Sequence, residues 1–116
     1  MAFKKLLRQL GTRQDSALEL MVIKVDVSQN TSGDNNGFIE GADFAILTRT
    51  SSGVLKLTFN RAASRPLMVI GSSVGSEGFV YERSASTSTE VFLNTCDDAG
   101  TEVDVDFTIT VLGCYK

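Results

Sequence analysis

Val103, Val105, Phe107, Ile109 and Val111 alternate with Asp104, Asp106, Thr108 and Thr110, and this strict period of two constrains the chain more than any other feature. Such a stretch has one dry face and one wet face, and a register slip of a single residue would bury two aspartates. Gly53 to Asn60 repeats the pattern, with Leu55, Leu57 and Phe59 opposite Lys56, Thr58 and Asn60. Ile23, Val25 and Val27 alternate with Lys24, Asp26 and Ser28 in a strand read as Leu20 to Ser28, and Phe44 to Thr50 sets Phe44, Ile46 and Thr48 against Ala45, Leu47 and Arg49.

Other segments fill in the order of elements. Leu67 to Val74 begins as a nearly continuous apolar run and ends in Gly71, Ser72 and Ser73, which predicts a central strand covered on both sides. Phe79 to Arg83 and Val91 to Cys96 read as strands joined by the polar link Ser84 to Thr89. Asn30 to Gly37 reads as a loop, followed by a short strand or an extended tip at Phe38 and Ile39, and Gly75 to Gly78 reads as a turn. No helical period follows residue 11. The expectation is an all-β domain: an antiparallel β-sandwich or small barrel of six to eight strands, occupying residues 17–116.

The first sixteen residues differ in period. Phe3, Leu6, Leu7 and Leu10 fall on one stripe of a short helix, with Lys4, Lys5, Arg8 and Gln9 on its other side and Gly11 as its stop. A helix of under about 12 residues is marginal alone in water, so residues 1–16 are expected to form an amphipathic arm that rests on something. A neighbouring subunit and the chain's own core are both open as that surface.

Length and charge bound the function. A chain of 116 residues is one domain, large enough to bury roughly 65% of the surface that its unfolded form exposes. The formal charge of −3 argues against a general affinity for nucleic acid. Lys4, Lys5, Arg8 and Arg13 precede the first acid, whereas Asp97, Asp98, Glu102, Asp104 and Asp106 crowd the other end, a polarity that suits docking between copies or a solvated face. Arg8 interrupts the only apolar run near the start, so no secretion signal is expected, and no stretch has the length of a membrane-spanning helix. Cys96 and Cys114 are read as small buried hydrophobes, a bridge between them being possible only on neighbouring strands.

Catalytic chemistry lacks its parts. There is no His to act as a general base or to complete a metal site, and no glycine-rich cradle opens a helix, so neither an enzyme nor a cofactor is expected. Asp97 and Asp98 stand before Gly100 in what reads as a hairpin turn, where Asp is favoured for its local backbone hydrogen bonds. Asp34-Asn35-Asn36-Gly37 lacks the downstream Glu of a calcium loop and reads as a polar loop tip. Arg65 before Pro66 is pushed to an extended conformation that starts the next strand, and Arg61 and Arg65 could pair with Asp104 or Asp106 of an adjacent copy.

A resemblance covers about half of the chain. Gly53-Val54-Leu55-Lys56-Leu57-Thr58-Phe59-Asn60-Arg61-Ala62, followed by Arg65-Pro66-Leu67-Met68-Val69-Ile70, resembles a strand and Arg-Pro pattern of small all-β virion proteins of tailed bacteriophages. Asp97-Asp98-Ala99-Gly100, Asp104-Val105-Asp106-Phe107 and Val111-Leu112-Gly113 are similar to their final hairpin. The resemblance implies a capsid decoration (cement) protein, made in the host cytoplasm and placed on the virion surface against the major capsid protein of a tailed phage. A homo-oligomer is expected, a trimer ahead of a dimer, with Phe3, Lys4, Lys5, Leu6, Leu7, Arg8, Leu10, Arg61 and Arg65 as the candidate interface. The competing expectation is a tail fibre, knob or lectin-like module that binds a host glycan, for which an exposed aromatic platform beside polar groups is required.

Overall fold

The computed structural model describes residues 17–26, 38–74 and 78–115, and among these every regular element is a β-strand. In chain order they are β1 (Ala17–Val25), β2 (Phe38–Glu40), β3 (Ala45–Ser51), β4 (Val54–Phe59), β5 (Met68–Val74), β6 (Phe79–Glu82), β7 (Glu90–Cys96) and β8 (Phe107–Tyr115). They form two four-stranded sheets, β2-β1-β8-β5 and β3-β4-β7-β6, in which every pair is antiparallel. The fold is therefore a sandwich, not a closed barrel.

Alternation decides what lies between the sheets. Met21, Ile23 and Val25 of β1 and Phe107, Ile109 and Val111 of β8 face inward from the first sheet. Ala45, Leu47, Leu55, Leu57, Val91 and Leu93 meet them from the second, and all of these residues belong to one buried cluster. Each fully buried aliphatic or aromatic side chain contributes about 1.5–3 kcal/mol relative to exposure, so this cluster is the main source of stability. The first and last described strands pair along their full length, from Ala17 opposite Tyr115 to Val25 opposite Phe107.

Turns follow local chemistry. Asp97 Oδ1 accepts hydrogen bonds from the amides of Ala99 and Thr101 at 3.0 and 2.9 Å, and Gly100 supplies the left-handed φ of 87° that closes the turn. The β3–β4 hairpin turns at Gly53 with φ 74°, where an added Cβ would collide with the backbone of Thr95 and Val103.

Several expectations need correction. Leu67 to Val74 is not a central strand: β5 lies at the edge of the first sheet and most of its residues are exposed. Its apolar run has another cause, described below. The last strand begins at Phe107 and not at Val103, because side chains claim the preceding segment: Thr95 Oγ1 donates to the Val103 carbonyl at 2.6 Å, and Asp104 is held by Arg49 and Gly53. Strand β1 starts earlier than Leu20, at Ala17, and ends at Val25. Cys96 and Cys114, by contrast, are buried as the sequence suggests, with free thiols on strands of different sheets. The predicted arm over residues 1–16, the loop over Asn30 to Gly37 with its Asp34 tip, and most of the Gly75 to Gly78 turn lie outside the described residues.

Candidate functional site

The two outer faces of the sandwich differ in chemistry. Residues that alternate with the core positions of the first sheet point outward, and the ladder register places Leu20 of β1, Leu112 of β8 and Met68 of β5 in one row across three strands. Leu18 and Cys114 form the row on one side, while Val22 lies opposite Thr110 on the other. Ile70 points outward by alternation with the inward Val69, and a bulge between Val69 and Gly71 sets Gly71 opposite Thr110. Leu20 is 64% exposed, Ile70 53%, Met68 44% and Val22 43%, and Leu112 lies buried between them. Contiguous apolar surface of this kind marks a contact site, whereas single exposed aliphatics do not.

The outer face of the second sheet is polar along its centre. Lys56 and Glu90 form an ion pair at 3.2 Å, with Thr58 opposite Glu90 in the ladder. The Arg83 guanidinium donates to the Leu93 carbonyl at 3.0 Å and to Asn94 Oδ1 at 3.2 Å and lies over the Phe92 ring. Asn94 Nδ2 in turn donates to the Tyr81 hydroxyl at 3.3 Å and to Glu102 Oε1 at 3.2 Å. Beside this network, Phe79 and Tyr81 present exposed rings on edge strand β6.

A third feature sits where β1 begins and β8 ends. Glu19, Met21, Phe44, Asn60, Arg61 and Tyr115 line a shallow cleft of ≈ 270 Å³. Arg61 donates to Glu19 Oε1 at 2.5 Å, and its guanidinium lies 3.9 Å from the centre of the Tyr115 ring. The hydrogen bond to Glu19 raises the arginine's pKa further. Burial pushes the Tyr115 phenol above its ordinary range, partly opposed by the adjacent Arg61 cation.

The sequence-predicted interface is thereby divided. Phe3, Lys4, Lys5, Leu6, Leu7, Arg8 and Leu10 lie outside the described residues. Arg61 is committed to Glu19 and Tyr115 of its own chain, and Arg65 is exposed on the connection into β5. Asp104, one of the two carboxylates that could have met an arginine of another copy, is paired with Arg49 at 2.8 Å within its own chain. The apolar face of the first sheet was not anticipated, although its signal is present. Leu20 to Ile23, Leu67 to Ile70 and Val111 to Leu112 are unbroken apolar runs where one-sided strands would alternate.

Among the described residues, no group of three or more His, Cys, Asp or Glu side chains could hold a metal ion, and no helix is long and apolar enough to cross a membrane. No known protein family, curated protein or solved structure matches the chain.

Proposed function

We propose that this chain is a structural decoration protein of the cement type, which binds the outer surface of a tailed-phage head and stabilises contacts between shell subunits by burial. One observation supports the reading: the apolar row Leu20–Leu112–Met68, extended by Val22 and Ile70, on the outside of a sandwich whose other face is polar along its centre. Apolar surface removed from water contributes about 25 cal/mol per Å², and many equivalent contacts on one particle reinforce one another through multivalency. The major capsid protein is the partner, with a trimer ahead of a dimer as the self-associated form. Exposed Arg65 stands three residues before Met68, on the connection into β5. The work is adhesion, and no group on the protein needs to make or break a bond.

The test is co-sedimentation of the purified chain with phage heads that lack it. Saturable binding with a copy number fixed by shell symmetry is expected, and its abolition by Leu20→Asp combined with Met68→Asp. Heads that bind the double variant as well as the parent chain would remove the reading.

A second reading is favoured by Phe79 and Tyr81. Two exposed rings beside Asn94, Glu102 and Arg83 make the kind of platform on which a glycan stacks while polar groups bond its hydroxyls. A glycan array separates the two readings, because binding lost on Tyr81→Ala but retained on Leu20→Asp would assign recognition to the second sheet.

A further inference from the structure

We infer that edge strand β5 is a self-pairing seam, on which a second copy of this chain lays its own β5 antiparallel about a two-fold axis through Ser72. An edge strand presents a row of unpaired backbone amides and carbonyls, and folded proteins blunt such rows with charge, proline or brevity. Among the described strands, three of the four sheet edges are blunted. β2 has three residues and ends in Glu40, β3 carries Arg49 beside a bulge, and β6 has four residues and ends in Glu82. β5 runs for seven residues with no charged side chain and no proline, and most of it is exposed. Among the described residues, β8 is the only strand that pairs with it, and no backbone hydrogen bond links Met68–Val74 to anything else.

The register follows from the two faces. Val69, Ser72 and Val74 stand opposite Val111, Ile109 and Phe107 of β8 and share their inward side, whereas Met68, Gly71 and Ser73 stand opposite Leu112, Thr110 and Thr108 on the outer side. Side chains directly opposite in a sheet share a face, so β5 matched antiparallel with itself must pivot on a residue and not between two. Its ladder is regular from Gly71 to Val74, beyond the bulge. A pivot on Ser72 sets Gly71 opposite the partner's Ser73 and, past the bulge, Val74 opposite the partner's Val69. Each pair keeps to one side, and no like charges meet across the seam.

A second copy supplies a strand of matching length, composition and facing. The axis stands perpendicular to the sheet, so the two first sheets join into one, with both Leu20–Leu112–Met68 rows on the same side. A seam of seven residues a side is small beside the roughly 20–30 a side of a standard interface. The dimer is therefore weak in dilute solution and is reinforced on any surface that holds both rows. Of the proposed function only the homo-oligomer is involved, and an isologous seam, which closes at two copies, puts the dimer ahead of the trimer.

The test is sedimentation equilibrium of the full chain, together with hydrogen exchange at low and high concentration. A monomer–dimer equilibrium is expected, with β5 amides that gain protection as the dimer forms. Ile70→Lys combined with Ser73→Lys places lysines along the seam and should weaken the dimer by about tenfold or more. Ser72→Cys should oxidise readily to a cross-linked dimer, because directly opposed residues stand about 4.5–5.5 Å apart between Cα atoms, within disulfide reach. Leu20→Asp, with β8 between it and β5, should keep the dimer even where it abolishes head binding, so the two proposals fail separately. A monomer at about 1 mM, a dimer that the lysines leave intact, or an oligomer whose β5 amides exchange at the same rate at every concentration would overturn the inference.

Discussion

The carboxylate of Asp104 holds the guanidinium of Arg49 across a gap of 55 residues in sequence, with Nε at 3.0 Å from one oxygen and 3.1 Å from the other. The same carboxylate accepts the amide of Gly53 at 2.9 Å, so a single side chain ties the β3–β4 turn to the segment that leads into β8. Both ionic side chains are about three-quarters covered, at 21% and 24% exposed, which places the pair between a surface salt bridge and a buried one.

Asp104→Ala is expected to destabilise the domain by about 1–2 kcal/mol, because it strips a charge-assisted partner from Arg49 and the only described acceptor from the Gly53 amide. Asp104→Asn, which keeps an acceptor for Gly53, should cost less. Urea unfolding of the two variants checks the order, and equal losses would show that the charge alone matters.

Gly53→Ala should cost more than either. The residue has a left-handed φ of 74°, its carbonyl accepts the Thr95 amide at 2.9 Å, and a Cβ there would meet the Thr95 carbonyl oxygen. A loss of about 2–4 kcal/mol is expected from strain and displaced backbone together. Gly100→Ala is the control: its φ is also left-handed, at 87°, but nothing stands within 4 Å of the added carbon, so thermal unfolding should show a smaller loss.

Period-two patterning was enough to read the two-sided logic of β3 and β4 and the inward set Ile23, Val25, Phe107, Ile109 and Val111. It misled at both ends of this logic. In β5 an apolar run on an edge strand reports an exposed outer patch, and sequence cannot separate that from burial on two faces, since both remove the polar alternate. In the stretch Val103 to Asp106 the pattern is that of a strand, but the partners of its polar groups come from Thr95, Arg49 and Gly53, which only the folded topology brings together. Arg61 was missed for the same reason: its partner Glu19 stands 42 residues away, on β1.

Tyr115 should give the domain an alkaline limb. Burial raises the folded-state pKa of its phenol above the unfolded value of about 10, so the folded chain keeps a proton that the unfolded chain loses. The contribution is therefore complete below pH about 10 and disappears as pH rises through the folded pKa. Tyr115→Phe should flatten that loss in stability above pH about 10 while leaving the neutral-pH value nearly unchanged, since the hydroxyl's recorded partner is the weak acceptor Met21 Sδ at 3.9 Å. Urea midpoints measured between neutral and alkaline pH check it, and an unaltered alkaline slope in the variant would assign the limb to other groups.

The apolar row of the first sheet should separate adhesion from stability. Leu20 and Met68 are 64% and 44% exposed, so Leu20→Asp and Met68→Asp remove little that the sandwich core uses, and each is expected to shift stability by less than about 1 kcal/mol. Leu112 lies between them in the same row but is only 9% exposed, so Leu112→Asp places a charge where water does not reach and should unfold or severely weaken the domain. On the opposite face, Lys56→Gln breaks an ion pair that is about one-third exposed on each side and should cost at most about 0.5 kcal/mol. Binding to phage heads should follow a different order from stability. It should be lost in the Leu20 and Met68 variants and kept in the Lys56 variant, because only the former put a carboxylate into the surface that the contact must dry. Parallel measurement of unfolding midpoints and head binding decides it: if the Lys56 variant loses binding while the Leu20 variant keeps it, the second sheet is the adhesive one and the row Leu20–Leu112–Met68 is not the contact.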